Sequence, residues 1–121
     1  MPVGNQFFQR LFAQKLGPSA APSKPTRALG TAYQPSTTRP TLVVIIVTPS
    51  AGTTQSAGVS LLMDAANPPT TEVGRAVIGQ TGATTVNASL PLITLVPAGY
   101  YYKPNNIGLS PAVFETIEYT L

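Results

Sequence analysis

The sequence predicts an all-β protein: an antiparallel β-sandwich, with a jelly-roll-like arrangement as the alternative, preceded by an extended N-terminal arm that holds one short amphipathic helix. Three observations lead there. The 121-residue chain contains 13 prolines and 10 glycines, which bar long helices from most of its length. Thr, Val, Ile, Leu and Tyr fill the stretches between them, and these side chains suit a pleated surface. About seven or eight such stretches follow residue 28, each closed by turn residues, the spacing of strands in a sandwich.

The first element is the exception. Residues 1–17 read MPVGNQFFQRLFAQKLG. Phe8, Leu11, Phe12 and Leu16 recur at helical spacing, and Phe7 pairs with Leu11. Asn5 can cap the start and Gly17 the end, with Pro18 just beyond, so a helix over about 6–16 is expected. A helix this short is marginal alone in water and must dock to be stable. Residues 18–28, PSAAPSKPTRA, read as a proline-stiffened linker that spans roughly 30 Å at the polyproline rise. Residues 1–28 are therefore expected to form a docking arm and linker, and residues 29–121 the body.

Within the body, Leu29–Gln34 is a short first strand closed by a turn at Pro35. Thr41–Thr48 is the strongest strand of the chain. Gly58–Ala65 alternates, with Val59, Leu61, Met63 and Ala65 on one face, and Glu72–Ile78 is a weaker strand. Val86–Leu90 and Leu92–Val96 flank Pro91, which demands a bend, a bulge or an edge position. Pro97-Ala98-Gly99 turns the chain into Tyr100–Lys103. Ala112–Leu121 closes it, with Val113, Ile117, Tyr119 and Leu121 on one face.

Composition excludes most chemistry. The chain has no Cys, His or Trp, so it forms no disulfide, no Cys/His zinc site and no Ser-His or Cys-His catalytic pair. Its four carboxylates, Asp64, Glu72, Glu115 and Glu118, stand in no spacing that suggests a glycosidase pair or an oxygen-ligand metal site. No catalytic residue, metal or cofactor is expected, and the chain reads as a non-enzyme. Net charge is +3, made of +4 over residues 1–27 (Arg10, Lys15, Lys24, Arg27) and −1 over the rest. Four basic residues are too sparse for nucleic-acid binding and fit an arm lying on an acidic protein surface. No apolar stretch of about 18 residues exists to span a membrane, and no secretory core is present at the N-terminus. The acid-free N-terminus shares residue types with a mitochondrial presequence but is poorer in Arg and Ser.

Interaction surfaces are the remaining candidates. The arm offers Phe7, Phe8, Leu11, Phe12 and Leu16 to a partner groove, with Arg10 and Lys15 for steering. Burying five such side chains gains up to about 10 kcal/mol before ordering costs. The Thr41–Thr48 strand is apolar on both faces, so one face is covered either by this chain or by another subunit; Val43, Ile45 and Val47 are the expected oligomer interface. Alternation in the tyrosine segment sends Tyr100 and Tyr102 one way and Tyr101 the other; Tyr101 is expected to pack inside with the other two in cross-strand contacts, and the alternative is a candidate ligand patch of Tyr100, Tyr102 and Lys103.

The segments Arg27-Ala28-Leu29-Gly30-Thr31-Ala32-Tyr33-Gln34, Thr38-Arg39-Pro40 and Val96-Pro97-Ala98-Gly99-Tyr100-Tyr101-Tyr102-Lys103 resemble a small β-sandwich module of tailed-bacteriophage virion proteins. In that family a T-x-R-P turn precedes the main strand and a V-P-x-G turn precedes an aromatic strand. The resemblance covers about residues 27–121. It implies a structural virion protein, often trimeric, found as a capsid cement or decoration protein, a head fibre or a tail-fibre tip. The short chain with its own arm suits a cement or decoration subunit on the capsid surface, with the major capsid protein or other virion subunits as partners. The alternative is a tail-fibre module that recognises a host glycan or protein through the tyrosine segment. A third class, a membrane-associated or mitochondrial-type protein, makes the N-terminus an address instead.

Overall fold

A computed structural model of the chain describes residues 22–48, 50–51, 56–78, 86–87, 89–108 and 113–121. The expected helix over 6–16 and its docking residues Phe7, Phe8, Arg10, Leu11, Phe12, Lys15 and Leu16 lie outside the described residues. Within them the protein is all-β and contains no helix. Eight strands follow in order: β1 (Thr41–Thr48), β2 (Ser50–Ala51), β3 (Ala57–Asp64), β4 (Glu72–Ile78), β5 (Val86–Asn87), β6 (Leu90–Val96), β7 (Tyr101–Gly108) and β8 (Val113–Thr120).

The strands form two antiparallel three-stranded sheets, β6-β1-β8 and β4-β3-β7, with β2 and β5 paired separately. The apolar run of β1 takes the centre of its sheet, where both neighbours supply ladder partners. The buried faces of the two sheets share one core: Val43, Ile45, Val47, Leu92 and Val96 from the first meet Val59, Leu61, Ala76 and Tyr102 from the second. Strict alternation holds along β1, with Thr41, Val43, Ile45 and Val47 buried and the residues between them half-buried. Pro91 sits in β6, an edge strand, where a missing N–H interrupts no ladder on the open side.

Close approach of β3 and β4 depends on Gly58, because a Cβ there would run into the backbone of Ala76 and Val77. The V-P-A-G segment is a turn as expected: Tyr100 N donates to Pro97 O at 3.0 Å, and Gly99 adopts φ 81°, a left-handed conformation that favours glycine. Ser36 Oγ accepts from Thr38 N and Arg39 N at 3.3 and 3.1 Å, holding the bend before Pro40.

Several sequence expectations are corrected. Leu29–Gln34 is not a strand; only Tyr33 bridges, to Tyr102, and Leu29-Gly30 turns. Residues 22–28, read as linker, lie on the body, with Ser23 paired to Glu118. In β8 Ile117 and Tyr119 share one face as expected, and that face is the outer one, while Phe114, Thr116 and Glu118 turn inward. Tyr102, not Tyr101, is the buried tyrosine.

Candidate functional site

Two structural features gather the residues that carry polar chemistry or exposed apolar surface. The first is a strap. Residues 22–36 run along one side of the molecule and touch the free edge of each sheet. Ser23 exchanges backbone hydrogen bonds with Glu118 of β8 at 2.9 and 2.8 Å, and Tyr33 exchanges them with Tyr102 of β7 at 2.8 and 2.9 Å. Gly30 N donates to Pro104 O at 2.7 Å between these points.

Under the strap lies a charged cluster. Arg27 grips Glu118 in a two-pronged pair, Nε to Oε2 and Nη2 to Oε1, both at 3.0 Å. The Tyr102 hydroxyl donates to the same carboxylate. The Arg27 guanidinium also lies over the Tyr33 ring, 4.4 Å from its centre, and the Tyr33 and Tyr102 rings sit 5.9 Å apart. Burial, followed by the hydrogen bond to Glu118 and that group's charge, pushes the Tyr102 hydroxyl well above the usual tyrosine range. Burial opposes the charge on Arg27, but its partners outweigh it and the pKa rises. Next to the cluster, Tyr33 pairs with Tyr102, and Gln34 and Ser36 hydrogen-bond Gly99 of the V-P-A-G turn.

This cluster fastens the strap to β7 and β8. Each of the four carboxylates has a structural partner. Asp64 accepts from Ala66 N, Thr70 N and Thr71 N and from the Thr71 hydroxyl, tying down the β3–β4 loop. These bonds, that from Thr70 N first, hold its pKa at about 2. Glu72 pairs with Arg75 at 2.7 Å, which lowers its pKa, and Glu115 meets Lys24 at 3.6 Å. Among the described residues no group of His, Cys, Asp or Glu is placed to hold a metal. A groove of about 220 Å³ opens between Lys24–Arg27 and Phe114–Thr116, but both of its cations are already paired.

The second feature is the outer face of the β6-β1-β8 sheet. Register aligns it in rows. Leu95, Leu42 and Tyr119 make the first, Ile93, Val44 and Ile117 the second, and Pro91, Ile46 and Glu115 the third. Glu115, at one corner, is the only charged residue of these rows. Ile93 is 65% exposed and Leu95 50%. The outer face of the other sheet is mixed: Arg75, Ser60 and Asn105 share a row there, beside Glu72, Leu62 and Lys103.

No family model, no curated protein and no solved structure matches this chain.

The predicted site residues fall as follows. Val43, Ile45 and Val47 are fully buried inside the chain's own core and offer nothing to a neighbour. Alternation places Leu42, Val44 and Ile46 on the open face instead. Tyr102 leaves the ligand patch for the core, and Tyr100, 36% exposed, and half-buried Lys103 remain at the surface. Sequence reasoning missed Ile93, Leu95, Ile117 and Tyr119. The signal was present: β8 places Thr116 and Glu118 in one alternation class and Ile117 and Tyr119 in the other, and Glu118 goes inward because Arg27 and Tyr102 satisfy it there.

Proposed function

We propose that this chain is a structural subunit of a tailed-phage virion, a capsid cement or decoration protein. Its body is a β-sandwich that oligomerises as a trimer, and its N-terminal arm docks on a neighbouring subunit. The observation that carries the reading is the apolar outer face of β6-β1-β8. A solvated sheet face alternates with polar residues, whereas this one presents contiguous aliphatic and aromatic side chains, which mark a surface made to be covered. The sequence resemblance over residues 27–121 supports reading that surface as one used within a virion. The engagement of every carboxylate in a structural pair supports a non-enzymatic role.

The test uses particles of the source phage assembled without this protein. Added full-length chain is expected to co-sediment with them at stoichiometric occupancy, and Ile93→Asp to reduce that occupancy while leaving the fold intact. Binding to isolated tails or to host cell-surface glycan, with none to heads, favours the tail-fibre alternative. Binding to neither overturns the virion reading.

A further inference from the structure

We infer that the apolar outer face of β6-β1-β8 is the seat for the N-terminal arm, residues 6–16, of a second copy of this chain. The proposal deepens the reading above, from which it takes the arm as the docking element, and names the neighbour it docks on.

Size selects a helix as the occupant. Three strands about 4.8 Å apart make a face roughly 14 Å wide, and the steps from Leu42 to Ile46 make it roughly 14 Å long. An outline of about 200 Å² is far below the roughly 800 Å² per partner of a standard protein interface, so two such faces stacked together hold poorly. A helix of the length expected for residues 6–16 is about 16 Å long and about 10 Å across with side chains, which matches one face. Its Phe8, Leu11, Phe12 and Leu16 supply an apolar stripe to match the Ile93, Val44 and Ile117 row, which no element covers among the described residues.

Direction selects a second copy. Ser23 pairs antiparallel with Glu118, so the chain upstream of it runs toward Leu121 and leaves the sheet beside the Leu42–Tyr119 row. The next residues back are Pro22-Ala21-Ala20-Ser19-Pro18-Gly17, and their prolines favour an extended path. Five steps at about 3.1 Å carry Gly17 roughly 15 Å past that row. An arm of about 16 Å folded straight back from there regains only the rim of its own face, whereas a neighbour beyond the end of the sheet lies within its reach. A contact in which each arm enters the next copy is head-to-tail, and a threefold rotation between copies closes it as a trimeric ring.

The chain has no native cysteine, so the contact can be trapped cleanly. Full-length Leu11→Cys/Ile93→Cys is oxidised at low protein concentration and run without reductant. Covalently linked multimers are expected, up to a closed trimer. A monomer carrying an internal disulfide overturns the second-copy assignment in favour of the chain's own arm, and absence of any disulfide overturns the seat itself. In parallel, Ile93→Asp and Phe8→Asp/Phe12→Asp are each expected to be folded monomers by circular dichroism and sedimentation, and an equimolar mixture of the two to form heterodimers, since one retains the arm and the other the face. A mixture that stays monomeric also sinks the inference. Failure of the virion reading looks different: cross-linked rings that do not join particles leave the arm seat standing, and particles decorated by monomers leave the virion role standing without it.

Discussion

The Tyr102 hydroxyl donates a hydrogen bond to the Glu118 carboxylate, joining β7 of one sheet to β8 of the other inside the core. Tyr102→Phe keeps the ring and loses this bond, and is expected to cost about 1.5–3 kcal/mol, as for a hydrogen bond to a charged group. Tyr102→Ala is expected to cost about 3–5 kcal/mol, and Tyr101→Ala, half-buried on the outer face, much less. Urea melts of the three variants check the order.

The same tyrosine sets an alkaline limit. Its pKa is raised on folding, so the folded state keeps a proton that the unfolded state loses near pH 10. The stabilisation is fully present below that pH and is lost as pH rises beyond it. Stability measured from pH 8 to 11 should fall in the wild type and fall less steeply in Tyr102→Phe.

Removing Arg27 leaves Glu118, 7% exposed, as a buried charge without its cation. Arg27→Met is expected to destabilise by about 3–5 kcal/mol. Arg27→Met/Glu118→Gln should recover a large part of that, because no charge is then stranded. A double-mutant cycle in urea reads the coupling, and additive losses would contradict the pairing.

Asp64 works in the opposite pH range. Its hydrogen bonds hold the carboxylate near a pKa of about 2, below the unfolded value, so its contribution is present above about pH 4 and disappears as pH falls toward 2. Asp64→Asn should lower the melting temperature at pH 6 and flatten the acid side of the melting profile between pH 5 and 2.

The two faces of the β6-β1-β8 sheet are expected to answer differently to charge. Ile45→Asp puts an unpaired carboxylate in the dry core and should unfold the body, whereas Ile93→Asp on the outer face should leave the circular dichroism spectrum unchanged. Thr41 buries a hydroxyl with no hydrogen-bond partner among the described residues, so Thr41→Val should raise stability by about 1 kcal/mol. Gly58→Ala should destabilise by about 1–3 kcal/mol or more, since the obstacle is backbone and cannot swing aside.

Much of the strand plan was legible because each strand announces itself locally. Thr41–Thr48 and Glu72–Ile78 are strands over the residues that alternation and β-branched content mark, and the Pro97–Gly99 turn follows from residue type alone. What was illegible was which face turns inward. For β1 both faces are apolar, so period-two alternation defines two classes without ranking them. For β8 the ranking by hydrophobicity is inverted, because Glu118 is drawn in by Arg27 and Tyr102, residues 91 and 16 positions away. The strap was hidden for a related reason: its proline-rich composition describes an extended chain equally well on or off a sheet edge.

The pairing of β1 with β8 has a consequence for biosynthesis. On the ribosome, Thr41–Thr48 emerges roughly 70 residues before its partner Val113–Thr120, a delay of several seconds at about 5–20 residues per second. During that interval the most apolar segment of the chain has no sheet to join on that side, and Arg27 waits longer, across the 91 residues to Glu118, as does Ser23. Closure of this sheet thus waits until Val113–Thr120 has emerged, and a premature stop before Val113 gives a product that cannot complete it.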